Sequence, residues 1–213
     1  MRTVFEKQLK EINNELIEMG ELIKESVRIA IKGLINKDTD VLEAVITSDS
    51  RVNEKEKKIE KLCLQVLLKQ QPVAKDLREV LATLKMITDM ERIGDQAADI
   101  CEVTLRLIKK NSTEKLDELQ EVAKESMLMV MQSLDSFVKK DLDLAREVIK
   151  HDDVVDSLFL SIKKELIELM SEKVETGEEA ANLLMIAKYF ERIGDHSTNI
   201  AEWVIFSMTG EHV

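Results

Sequence analysis

Apolar positions recur every three or four residues along almost the whole chain. Phe5, Leu9, Ile12, Leu16, Met19, Ile23, Val27, Ala30 and Leu34 form the first stripe, which predicts a long amphipathic helix. Thr3-x-x-Glu6 is placed to close a capping box at its start, and the stripe ends near Asn36-Lys37-Asp38. Asp38 or Thr39 can cap a second helix. Its stripe runs Leu42, Val45, Asp49, Val52, Ile59, Cys63, Val66, so an aspartate interrupts an otherwise apolar face and Asn53 sits one turn on. Gln70-Gln71-Pro72 stops this helix, because the residue before a proline is driven out of the helical region. A third helix is predicted from about Val73 to Lys110.

After Asn111-Ser112-Thr113 the pattern starts again. A fourth helix over about Glu114–Lys139 carries Leu119, Val122, Ser126, Val130, Ser133 and Phe137 on one face. Asp141 can cap a fifth, whose stripe Ala145, Val148, Asp152, Val155, Phe159, Ile162, Leu166 again contains an aspartate, with Asp156 one turn later. Glu175-Thr176-Gly177 reads as a loop before a sixth helix, and the tail Gly210 to Val213 is expected to fray. The prediction is an all-α fold: six helices as two tandem antiparallel three-helix bundles, residues 1–111 and 112–213, joined by short connections.

The halves are copies. Glu91-Arg92-Ile93-Gly94-Asp95 recurs as Glu191-Arg192-Ile193-Gly194-Asp195, one hundred residues on, and Leu84, Ile100 and Glu102 are answered by Leu184, Ile200 and Glu202. On a helix, positions i, i+4, i+8 and i+11 share a stripe. That stripe holds Glu91, Asp95, Asp99 and Glu102 in the first copy, and Glu191, Asp195, Asn199 and Glu202 in the second. Each row spans roughly 16 Å at ~1.5 Å per residue. Apolar residues lead into both rows, so these acids sit at the edge of a core, where carboxylates must protonate, pair or bind a cation. A helical glycine costs about 1 kcal/mol relative to alanine; one between the acids in both copies points to close approach by a neighbouring helix or an ion. If the second and third helices of a half run antiparallel, Asp49 and Asn53 face Glu91 and Asp95, and Asp152 and Asp156 face Glu191 and Asp195.

Composition narrows the function. A single proline, six glycines and 44% hydrophobic residues suit a helical core. A net charge of −11 and 3% aromatics disfavour nucleic acid and anionic lipid as partners. No apolar run approaches the ~20 residues of a membrane span, no signal-peptide core follows Met1, and Cys63 and Cys101 lack a CxxC spacing. A cytoplasmic protein is expected.

With its paired ExxxD motifs, Glu91/Asp95 and Glu191/Asp195, the matching Asp49/Asn53 and Asp152/Asp156 spacing, and Gln71-Pro72, the chain resembles the PhoU family over its whole length. The resemblance implies two side-by-side three-helix bundles bearing multinuclear metal clusters, iron or zinc. It also implies a negative regulator of the phosphate starvation response, an adaptor between the phosphate ABC transporter ATPase and a sensor histidine kinase. A homodimer is expected. The residues themselves, as an all-oxygen set, equally admit Mg²⁺, Mn²⁺ or Ca²⁺. The metal-ligand candidates are Glu91, Asp95, Asp99, Glu191, Asp195, Asn199, Asp49, Asn53, Asp152 and Asp156. The exchange of Asp99 for Asn199, and of Asn53 for Asp156, makes the two sites unequal.

Two other readings compete. A surface salt-bridge face balanced by Arg92, Arg192 and Lys188 would leave an inert scaffold. A di-iron helical-bundle enzyme would need Glu-x-x-His pairs, and no glutamate lies three residues before His151, His196 or His212. No nucleophile–base pair or phosphate loop is present, so an enzyme is not expected. His151 and His196 read as surface or supporting groups. Met127, Met129 and Met131 read as core filling with partial exposure.

Overall fold

The structure, a computed structural model, describes residues 2–70, 72–110, 117–172 and 176–212, with side chains from Phe5 onward at the start. It contains six helices: α1 (Arg2–Asn36), α2 (Thr39–Gln70), α3 (Lys75–Lys109), α4 (Asp117–Lys139), α5 (Leu142–Glu172) and α6 (Gly177–Thr209).

The predicted punctuation is present where it can be seen. Asp38 accepts from the Val41 N–H at 3.3 Å, and Asp141 accepts from the N–H groups of Asp143 and Leu144 at 3.1 and 3.0 Å. Each satisfies donors that a helix start leaves free. α3 begins at Lys75 rather than Val73, because the chain leaves Pro72 through Ala74 at φ 49° before helical geometry resumes. The capping box at Thr3, Gln71 and the segment 111–116 lie outside the described side chains and residues.

Residues 210–212 of the tail are more ordered than expected. Gly210 takes the left-handed conformation, φ 85°, and donates to the Phe206 carbonyl at 2.8 Å. This turns the chain so that His212 stacks on Phe206, ring centroids 4.3 Å apart, with Trp203 edge-on to both. Stacking of this kind contributes about 0.5–1.5 kcal/mol beyond burial, which is enough to hold three residues against the last turn.

Each half folds as predicted, with α2 against α1 and α3, and α5 against α4 and α6. The halves meet along α3 and α6, the most extensive helix pair, and again where α1 meets α4. The helices α1, α3, α6 and α4 thus close a central ring, flanked by α2 and α5. One core runs through both halves, from Leu16, Met19 and Ile23 through Met90 and Ile93 to Phe190, Ile193 and Ile200. Both cysteines are buried in it and unpaired, and burial pushes each thiol up to about 12, so they act as small apolar residues. Met129 is fully buried, Met127 half-buried and Met131 exposed.

Candidate metal centres

Gly94 and Gly194 set the geometry. A Cβ on Gly94 would lie 3.2 Å from Val52 Cγ1 and 3.6 Å from Asp49 Oδ1. On Gly194 it would lie 3.2 Å from Val155 Cγ1 and 3.4 Å from Asp152 Oδ1. The missing side chain therefore lets α2 approach α3, and α5 approach α6, closely enough to bring the interrupting aspartate of each outer helix against the acid row of the inner one. The glycine cost noted above is the cost of that approach.

In the second half, Asp156, Glu191 and Asp195 each place an oxygen within 4.8 Å of the others. Asp152 adjoins them: burial first, then the charges of Asp195 and Asp156, push its carboxyl up to about 6. Asp195 is also raised, by burial and then by Glu191. Lys188 forms an ion pair with Glu191 Oε1. In the first half, Asn53 donates to Asp49 Oδ2 at 3.2 Å. Asp49 is raised by burial and by Asp95, and Glu91 by burial and by Asp95. Arg92 bonds Asp95 at 3.1 Å and lies 3.5 Å from Glu91. Like charges crowded at a core edge are disfavoured in both halves, and the pKa directions record it.

Four oxygens have the character a cation would require. Asp49 Oδ1, Asn53 Oδ1, Asp152 Oδ1 and Glu191 Oε2 are buried and accept no hydrogen bond. The Thr198 hydroxyl lies near enough to ease the charge on Asp152 but makes no bond within ordinary limits. A buried acceptor without a donor costs about 1–3 kcal/mol, more when charged. These four are half of the eight such atoms among the described side chains, so the deficit is concentrated at the two clusters. Oxygen donors in this number suit hard divalent cations or carboxylate-bridged iron.

Other residues of the rows reach the seam between halves. Asn199 donates its amide to Asp89 Oδ1 at 2.9 Å, and His196 Nδ1 lies 2.9 Å from the same oxygen. This tethers α6 to α3 and commits the Asn199 amide nitrogen to Asp89. Asp99, raised by burial, then by Glu102 and Asp95, is eased by Arg192. Glu202 is raised by burial and by Asp89. His151 contacts Glu125 Oε2 at 2.6 Å, bracing α5 on α4. Two participants escaped the sequence reading. Glu56, raised by burial and by Glu60 and coupled to Asp95 and Glu91, follows Asn53 at i+3, a spacing that could have found it. Asp89 lies off the acid stripe, and only packing of α3 on α6 reveals its partners.

A duplicated three-helix fold with a carboxylate cluster wedged between two helices of each half defines a class: tandem three-helix proteins with an acidic seam inside each half. The PhoU domain matches twice, over residues 16–104 and 119–204, and the chain belongs to the PhoU family. It is 36% identical over 213 residues to a phosphate-specific transport system accessory protein PhoU homolog of Clostridium acetobutylicum, covering 100% of this chain and 97% of that one. It is 31% identical over 207 residues to the phosphate-specific transport system accessory protein PhoU of Escherichia coli, covering 97% and 86%. The crystal structure of PhoU from Pseudomonas aeruginosa superposes with a TM-score of 0.95 at 32% identity, covering 97% of this chain and 100% of that one. That of the phosphate transport system regulatory protein PhoU from Streptococcus pneumoniae gives 0.91 at 29%, covering 98% and 99%. The family is one of transport accessory proteins, not enzymes.

Proposed function

We propose that this chain is a metal-binding regulator of phosphate uptake that restrains the phosphate starvation response by linking a phosphate ABC transporter ATPase to a sensor histidine kinase. The observation that carries the metal-binding part is the set of buried, donorless oxygens at the two helix seams: those of Asp49 and Asn53 on α2, packed on α3 at Gly94, and those of Asp152 on α5 and Glu191 on α6. The regulatory part rests on relatives that match nearly end to end and bear transport-accessory names. Asp49, Asn53, Glu91 and Asp95 hold the metal in the first half, with Asp99 coupled to Asp95 and Asp49 at its edge, and Asp152, Asp156, Glu191 and Asp195 in the second, where Asn199 bonds Asp89 at the seam. A bound cation supplies positive charge that these oxygens otherwise lack, locking each outer helix onto its inner one. The all-oxygen donor set favours manganese, magnesium, calcium or carboxylate-bridged iron over zinc, which draws on nitrogen and sulfur. No helix among the described residues is long and apolar enough to cross a membrane, which accords with a cytoplasmic adaptor. A homodimer remains part of this reading.

Deleting the gene is expected to derepress phosphate-uptake genes in phosphate-rich medium, and the intact gene to restore repression. Expression that stays repressed after deletion would sink the regulatory claim. Complementation with Asp95→Asn/Asp195→Asn separates the two parts: full repression by a variant that no longer retains metal would leave regulation standing and detach it from metal.

A further inference from the structure

Resting on the metal-binding reading, we infer that the Lys188 ammonium is the resident cation of the second cluster, which an incoming metal must displace, and that the first cluster has no counterpart. Three observations place it there. Lys188 Nζ is paired with Glu191 Oε1 one turn along α6. It also lies 5.2 Å from the centroid of the Phe159 ring on α5, within the range in which an aromatic face attracts an ammonium. Glu191 itself is only 8% exposed, its other oxygen has no donor, and it shares a 4.8 Å group with Asp156 and Asp195. The lysine thus covers one of the Glu191 oxygens and is steadied by the ring, while Glu191 Oε2 stays without a donor.

The same positions in the first half carry different chemistry. Glu91 answers Glu191 one hundred residues earlier, so Thr88 answers Lys188; its hydroxyl turns back to the Leu84 carbonyl at 3.5 Å. Asp49 and Asn53 answer Asp152 and Asp156, and the same register sets Glu56 against Phe159. Both the ammonium and the ring that steadies it are therefore missing. The first half's own cation, Arg92, reaches Asp95 from a side chain 55% exposed, a rim contact that solvent screens. Lys188, at 37%, is the more enclosed of the two.

A lysine that only braced α6 would help metal binding by ordering Glu191. A resident cation opposes it, and the two roles differ in sign. The test uses Mn²⁺ titrated calorimetrically into full-length Asp95→Asn protein, in which the first cluster is weakened. Adding Lys188→Met is expected to tighten the remaining site by about tenfold, since a fixed positive charge no longer competes. Unchanged or weaker affinity overturns the inference. In the Asp195→Asn background, Arg92→Met is expected to change Mn²⁺ affinity by less than about threefold, as for a screened surface charge; tightening equal to that from Lys188→Met overturns the claim that the clusters differ. A second readout needs no substitution. Acetylation of Lys188 by a small amine-reactive reagent, read by mass spectrometry, is expected to be slow in metal-free protein and faster with Mn²⁺ bound. Equal rates count against displacement. If the unsubstituted protein takes up no Mn²⁺, Mg²⁺, Ca²⁺ or Fe²⁺, the metal-binding reading itself has failed, a result distinct from metal uptake that ignores Lys188.

Discussion

A divalent metal supplied at a hundred times its dissociation constant is expected to stabilise the metal-free protein by about 2.7 kcal/mol for each site it fills, and the Asp95→Asn/Asp195→Asn variant by little of this. The physical basis is that folding without a cation buries Asp49 Oδ1, Asp152 Oδ1 and Glu191 Oε2 with no donor, while their neighbours Asp95 and Asp195 add like charge. A cation that binds the folded clusters and not the unfolded chain recovers this free energy. Removing a carboxylate charge from each cluster has two opposite consequences: the metal loses a ligand, and the metal-free protein loses repulsion. The double variant should therefore melt above the unsubstituted protein when both are stripped by chelator, and below it when both are saturated with Mn²⁺. Thermal unfolding followed by circular dichroism, with metal content measured on the same samples, checks the crossing. Equal metal content in the two proteins, or parallel melting shifts, would show that the acid rows are salt-bridged surface and nothing more.

The part of this site that was legible in the sequence is the part governed by helical periodicity. An acid row at i, i+4 and i+8 on α3 and α6, an aspartate inside each apolar stripe of α2 and α5, and a glycine between the acids need only the geometry of single helices and short connections. The pairing of outer with inner helix followed from the same facts, because two-residue and similarly short links leave neighbours antiparallel. What periodicity does not carry is rotation of one half against the other. Asn199 continues the acid row on paper, yet α6 turns it to Asp89 across the seam, and nothing along α6 says where α3 will lie. Arg92 and Arg192 occupy identical pentapeptides. Arg92 pairs within its own helix, whereas Arg192 eases Asp99 across the seam. The tail likewise depends on a tertiary event: Gly210 and the Trp203–Phe206–His212 stack anchor residues that composition alone assigns to fraying.

Lowering the pH of the metal-free protein from about 7.5 to about 5 is expected to remove roughly half of the stability difference between it and an Asp152→Asn variant. Folding raises the Asp152 carboxyl from an ordinary value of 3.8 to about 6, through burial and then the charges of Asp195 and Asp156. Between those values the folded chain holds a proton that the unfolded chain has released, so stability falls as pH rises through the window and is lowest above it. The shift would correspond to about 3 kcal/mol at ~1.4 kcal/mol per unit; screening of a half-buried side chain reduces this to roughly 1–2 kcal/mol. The amide of the variant does not titrate, so at pH 7.5 the variant should be the more stable by that amount, and near pH 5 by about half of it. Acids remote from the cluster do not confuse the comparison. Glu15, held low by Lys55 and Lys58 despite its burial, and Asp135, held low by Lys139, lose stabilising charge only as pH falls further, and equally in both proteins. Urea unfolding at several pH values measures the difference directly. Saturating Mn²⁺ should reverse its sign at pH 7.5, because the ionised carboxylate that destabilises the empty cluster is the form a cation needs. A pH-independent gap between the two proteins would mean that Asp152 ionises freely, and with it would go the claim that this oxygen is held out of water for a cation to meet.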